Sequence, residues 1–143
     1  MVILDTNVVS ELLRAAPARQ VEAWLAAQAG ADVYLTAITE AELRYGAALV
    51  PSGRRQRGLL HAIDSMLRED FFGRILVFDS VAAEHYAEIA VARRAAGRPI
   101  SQFDCQIAAI ARAQGAVLAT RNVADFADCG VELVDPWRYR EDA

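Results

Sequence analysis

The stretch Val2-Ile3-Leu4-Asp5-Thr6-Asn7 reads as a short buried strand that ends abruptly on an acid and turns into a helix. Three apolar residues make neither a leader peptide nor a membrane span, and Asp5 interrupts them at once. The same punctuation recurs along the chain. Further strand-like runs are Val33–Leu35, Ile75–Phe78, Val117–Ala119 and Val131–Val134, and longer segments of helical spacing lie between them. Helices are expected at Thr6–Arg14, after Pro17 around Val21, Trp24 and Leu25, at Thr39–Val50, at 54–70, at Ser80–Ala96 and at Ser101–Gln114. Pro51-Ser52-Gly53, Gly97 with Pro99, and Gly115 close three of them. This alternation predicts the α/β class, with helices covering both faces of a five-stranded, largely parallel sheet. The chain has 143 residues, no internal repeat and no linker, so residues 1–143 are expected to form a single domain.

Composition removes whole classes of chemistry. All 15 basic residues are Arg, and there is no Lys. A P-loop, a protein kinase, a pyridoxal enzyme and a class A β-lactamase each need a lysine amine, so none of them fits. A response-regulator receiver domain also sets acids at parallel strand ends, but its usual site includes a Lys. The two cysteines, Cys105 and Cys129, lack metal-type spacing and are expected to be reduced thiols in a soluble, cytoplasmic protein without a membrane segment. His61 and His85 stand apart with no second ligand nearby and are expected to be structural or surface residues. The net charge of −4 speaks at first sight against a nucleic-acid partner.

Four acidic positions stand out by location. Asp5 follows the first strand at the carboxyl end, where open α/β sheets place their ligand crevice, and it also suits a helix N-cap; position alone allows either. Glu42 shares a helical stripe with Tyr45, Gly46 and Leu49, which predicts an inward-facing carboxylate, whereas Glu40 precedes Arg44 by four residues and suits a solvated ion pair. Asp104 occupies the first turn of a stripe continued by Ile107, Ala108 and Ala111. Helix-dipole stabilisation accounts for an acid in a first turn but not for one that faces inward. Asn122 and Asp125 follow the fourth strand with the spacing of a capping box, and that segment too starts at a strand's carboxyl end. Three or four carboxylates and a carboxamide, without His or Cys, are ligands for a hard cation such as Mg²⁺ or Mn²⁺, whose bound water can hydrolyse a phosphodiester. The four acids equal the whole net charge in number, and a bound cation would cancel much of it, so the −4 no longer argues against RNA.

Val2-Ile3-Leu4-Asp5-Thr6-Asn7, Thr39-Glu40-Ala41-Glu42-Leu43-Arg44-Tyr45-Gly46, Asp104 before Ile107-Ala108-Ala109, and Ala119-Thr120-Arg121-Asn122 with Asp125-Phe126 occur in that order. Together they resemble a PIN-domain ribonuclease, and within that family the VapC toxins of toxin–antitoxin pairs, the FitB-like branch especially. The resemblance spans essentially the whole chain. It implies a PIN-like α/β/α sandwich and Mg²⁺-dependent endoribonuclease activity on RNA. It carries over Asp5 and Asp104 as metal ligands, Glu42 as a third acid, and Asp125 or Asn122 as the fourth site group. Thr6 and Asn7 match positions that orient Asp5. The resemblance also implies a homodimer and a cognate VapB-like antitoxin that covers the active site, with operator DNA bound only through that antitoxin. Arg54, Arg55 and Arg57 are candidates for contact with RNA or antitoxin, or are simply a solvated helix start. The second reading is a non-catalytic PIN-like module that binds RNA or protein without cutting.

Overall fold

The computed structural model describes residues 1–141; positions 142 and 143, the end of the span expected to form one domain, lie outside the described residues. Five strands, β1 (Val2–Leu4), β2 (Val33–Thr36), β3 (Ile75–Leu76), β4 (Val117–Ala119) and β5 (Glu132–Val134), form one parallel sheet in the order β3-β2-β1-β4-β5. Six α-helices connect or flank them: α1 (Thr6–Leu12), α2 (Arg19–Ala26), α3 (Ala37–Ala48), α4 (Arg54–Ser65), α5 (Ser80–Ala95) and α6 (Gln102–Gln114).

The period-two alternation of β1 divides the interior in two. Val2 and Leu4 point into a core built with Val8 and Val9 of α1, Val21 and Trp24 of α2, Leu43 and Ala47 of α3 and Ile63 of α4. Ile3 points the other way, into a core with Ala82 and Ile89 of α5, Ile107 and Ile110 of α6, and Phe126. The sandwich is therefore helix, sheet, helix, as expected. Each fully buried Leu or Ile contributes about 1.5–3 kcal/mol, so β1 is anchored from both sides and the residue after it is firmly placed. That residue is Asp5.

Sheet order locates the crevice. From β1 the chain runs outward through β2 to β3, then returns to lay β4 and β5 on the opposite side of β1. The carboxyl ends of β1 and β4 therefore flank the switch point at which such sheets open a cleft.

Several boundaries depart from the sequence reading. The third strand stops at Leu76, and Val77 and Phe78 extend past the sheet, because an edge position does not require a longer ladder. The last strand starts at Glu132. Helix α3 begins at Ala37 because Thr36 caps it, its Oγ1 accepting from Thr39 N at 3.1 Å. The expected helix over 54–70 is α4 followed by a wide turn, Met66–Asp70, whose closing bond runs from Phe71 N to Met66 O at 3.0 Å.

Candidate active site

At the switch point an open cleft of about 570 Å³ is lined by Asp5, Asn7, Glu42, Asp104 and Asn122, together with Thr6, Ser10, Glu11, Arg14, Arg121 and Trp137. The residue that follows β1, side chains of α1, α3 and α6, the segment after β4 and the turn after β5 meet here. The sequence-selected acids Asp5, Glu42 and Asp104 come together as expected.

Asp5 is 5% exposed. The two readings of it turn out compatible. As the N-cap of α1 its Oδ1 accepts from Thr6 N at 2.8 Å, while Oδ2 accepts from Thr120 Oγ1 at 2.8 Å and from Asn7 Nδ2 at 3.2 Å. A carboxylate has about four lone-pair sites. Three are engaged, and the one left is on Oδ1. Burial pushes the Asp5 carboxyl up to about 6; the bonds from Thr120 and Thr6 oppose the rise, and the charges of Asp104 and Glu42 add to it.

Thr120 is the hub of this arrangement. It is fully buried, and besides donating to Asp5 its Oγ1 accepts from Asn122 N at 3.0 Å and Asn7 Nδ2 at 3.3 Å. Asn7 in turn accepts from Arg121 N at 3.3 Å. Asp5 N donates to Ala119 O at 2.8 Å, which joins the ends of β1 and β4 directly.

Glu42 reaches the cleft by a route the stripe argument misjudged. Tyr45 is 68% and Leu49 66% exposed, so that stripe faces solvent, and the buried face of α3 is Thr39, Leu43 and Ala47. Glu42 lies on the flank between them, half-buried, with Oε1 accepting from Thr6 Oγ1 at 2.8 Å. Because Thr6 has one hydroxyl proton and gives it to Glu42, the 2.9 Å contact between Thr6 and Thr39 is a donation from Thr39. Thr6 thus holds Asp5 by its backbone and Glu42 by its side chain. Glu40, as expected, pairs outward with Arg44 at 2.9 Å.

Asp104 bears out its stripe: Ile107, Ala108 and Ala111 beneath it are fully buried. Its backbone N–H donates to the N-cap Ser101 Oγ at 3.3 Å. Burial raises the Asp104 carboxyl above its ordinary value; the Ser101 hydroxyl beside the carboxylate and Arg93 oppose this, and the charge of Asp125 reinforces it.

Asp125 is near enough to act on Asp104 electrostatically, but it is exposed and lies outside the lining of the cleft, which Asn122 enters instead. The capping box does not form. Asn122 makes no side-chain cap over the short turn Val123–Phe126, and its N–H, which a capping box would pair with Asp125, donates to Thr120 instead. Arg54, Arg55 and Arg57 stand exposed at the start of α4, and only Arg55 lines a neighbouring groove between α1, α3 and α4. His61 and His85 stay out of the cleft, and both cysteines are free and buried.

Three features escaped the sequence reading. Glu11, 7% exposed, lines the cleft and pairs with Arg14 at 3.1 Å. Arg121 lies over the ring of Trp137 at 4.9 Å. Arg93, 6% exposed, donates to Arg98 O at 2.7 Å, Asp125 O at 2.8 Å and Ala127 O at 3.0 Å, fastening the turn that carries Asp125 to the end of α5. Only the Glu11–Arg14 spacing left a trace in the sequence; the other two join residues far apart in the chain.

The donor set is all oxygen, which suits Mg²⁺ or Mn²⁺. Among the described residues no three His, Cys, Asp or Glu side chains are grouped closely enough to hold a metal ion by themselves.

Comparison with known proteins agrees with this architecture. The PIN domain family matches residues 2–130. The VapC ribonuclease Y4jK of Sinorhizobium fredii is 40% identical over 96% of this chain and 98% of its own. Toxin FitB of Neisseria gonorrhoeae is 41% identical over 96% of this chain and 99% of its own. The crystal structure of FitAcB from Neisseria gonorrhoeae superposes with a TM-score of 0.91 at 40% identity, covering 96% of this chain and 99% of that one. With the fold, the acid-lined switch-point cleft and this kinship in agreement, the chain belongs to the PIN-domain family, in the branch that contains the VapC and FitB proteins.

Proposed function

We propose that the chain is the toxin of a toxin–antitoxin pair, an endoribonuclease that hydrolyses RNA phosphodiester bonds with Mg²⁺, Mn²⁺ serving in its place. The observation that carries this reading is the gathering of Asp5, Glu42 and Asp104 with Asn7 and Asn122 in one open cleft. Asp5 and Asp104 would hold the cation, with Glu42 and Asn122 beside it, and the ion would supply an activated water and offset charge on the departing oxygen. Thr120, Asn7 and the Thr6 N–H fix the Asp5 oxygens so that one lone pair stays available. Thr6 engages Oε1 of Glu42, which leaves Oε2 to take a proton from the attacking water.

Kinship supports the partners. Solved relatives include FitAB bound to a DNA fragment, with a TM-score of 0.91 at 38% identity. In our reading a VapB-like antitoxin covers the cleft and the adjoining groove of Leu13, Leu43, Leu59 and Ile63, and operator DNA is met only through it. A homodimer has an apolar surface to use, since Tyr45 of α3 and Phe103 of α6, 53% exposed, line one hollow and Leu49, just past the end of α3, is exposed as well. No helix among the described residues is long and apolar enough to cross a membrane, in keeping with a cytoplasmic site of action.

Purified protein freed of any antitoxin should cleave RNA when Mg²⁺ is added and stop when it is chelated. Asp5→Asn and Asp104→Asn should each abolish cleavage with the fold retained by circular dichroism. Glu42→Gln should lose at least about a hundredfold in rate, as removal of a proton acceptor does, and Glu40→Gln almost nothing. Metal-dependent RNA binding without any cleavage would replace this reading with that of a binding module.

A further inference from the structure

We propose that Arg121, set over the Trp137 ring, is the residue that grips the backbone phosphate of single-stranded RNA in the cleft; this rests on the endoribonuclease reading. The charge inventory of the lining is lopsided. Asp5, Glu11, Glu42 and Asp104 are acids, and only Arg14 and Arg121 are basic. A polyanion entering such a cleft needs a cation that the protein has not already spent.

Arg14 is spent. Its Nη1 donates to both carboxylate oxygens of the buried Glu11, at 3.3 and 3.1 Å. Arg121 pairs with no carboxylate among the described residues. Its guanidinium carbon lies 4.9 Å from the centre of the Trp137 ring, a cation–π contact that consumes none of its N–H donors. The backbone beneath it is fixed on both sides. Thr120 is tied to Asp5, Asn122 N–H is tied to Thr120, and Arg121 N–H is tied to Asn7. The result is a guanidinium whose backbone anchor is fixed by three hydrogen bonds and whose head rests against an aromatic ring, beside the carboxylates that would carry the cation. That is the form in which arginine takes a phosphate with two parallel bonds, and the reduced mobility lowers the entropic cost of doing so.

The grip differs from a general basic patch. Arg54 and Arg57 lie outside the cleft lining, and Arg55 lines the adjoining groove, where an exposed charge can steer RNA without fixing it.

The test uses full-length protein carrying Asp104→Asn, so that nothing is cut, and a fluorescein-labelled single-stranded RNA of mixed sequence in Mg²⁺, read by anisotropy across a salt series. Adding Arg121→Gln should weaken binding about tenfold and reduce the slope of log affinity against log salt by about 1. Arg121→Lys should keep the slope and recover less than half of the lost affinity on a logarithmic scale, because an ammonium neither forks nor stacks as flatly. Arg14→Gln should change affinity less than threefold. Calorimetric Mn²⁺ binding to the Arg121→Gln chain with Asp104 intact should match the parent, which separates loss of grip from collapse of the site. Unchanged affinity and slope in Arg121→Gln would overturn the proposal and leave the residue to a protein partner; equal losses in Arg14→Gln and Arg121→Gln would overturn it too. If no variant with all its acids cuts RNA while the Arg121 effect on binding persists, the nuclease reading fails and the grip stands.

Discussion

A carboxylate with almost no solvent, at the end of a strand buried on both faces, is the residue on which this molecule turns. Asp5 titrates near its ordinary 3.8 in the unfolded chain and at about 6 in the folded, metal-free one. Between those values the folded state keeps a proton that the unfolded chain has released, so this group's contribution to stability falls as pH rises through the window, by about 3 kcal/mol in all. Asparagine in its place carries no such charge. The stability of Asp5→Asn relative to the parent, measured by urea unfolding without metal, should therefore shift in favour of the variant between pH 4 and pH 7.5 by an amount of that order. Saturating Mg²⁺ should narrow the gap at pH 7.5, because the cation then stabilises the ionised carboxylate of the parent. A relative stability that does not change with pH would show that burial is not what strains this acid. Burial thus makes the ionised form of this carboxyl costly for the protein alone.

At the scale of elements, the sequence told the most where one helix faced one core. The stripe below Asp104 consists of side chains that all bury, so its orientation could be read from period alone. The stripe beside Glu42 could not. Tyr45 and Leu49 are apolar but outward-facing, and what brings Glu42 to the cleft is a hydroxyl on α1 that lies 36 residues away. Apolar character marks a buried face only when no partner surface competes for it. The same limit applies to Arg93, a buried cation with no carboxylate partner among the described residues, satisfied by three carbonyls from two loops. No local pattern in an Ala-rich helix announces such a residue. Arg93→Met should cost about 2 kcal/mol of unfolding free energy by leaving those carbonyls unpaired, and Arg93→Lys should recover less than half of it, since one ammonium cannot span the same three oxygens. A methionine variant as stable as the parent would reduce Arg93 to a space-filler.

For the whole molecule, strand count and alternation were enough to anticipate a parallel sheet with helices on both faces, and the order β3-β2-β1-β4-β5 adds the switch point that the acids share. Asp125 shows what strand order alone does not settle. It follows a strand end as expected, yet the turn that carries it directs it past the cleft and Asn122 into it. The exposed apolar residues Tyr45, Leu49 and Phe103 make the proposed homodimer testable. Tyr45→Glu with Leu49→Glu should shift the protein from dimer to monomer in sedimentation equilibrium, with little change in its circular dichroism. A dimer that survives both charges is built on another face.

The bond from Thr120 to Asp5 spans 115 positions of chain. Until β4 has been made and docked beside β1, Asp5 lacks the hydroxyl that orients it and the cleft lacks one wall, so a growing polypeptide passes most of its synthesis with no assembled centre. Late closure of so long a loop ties assembly of the cleft to the docking of β4. A chain that ends before residue 120 lacks the hydroxyl that orients Asp5.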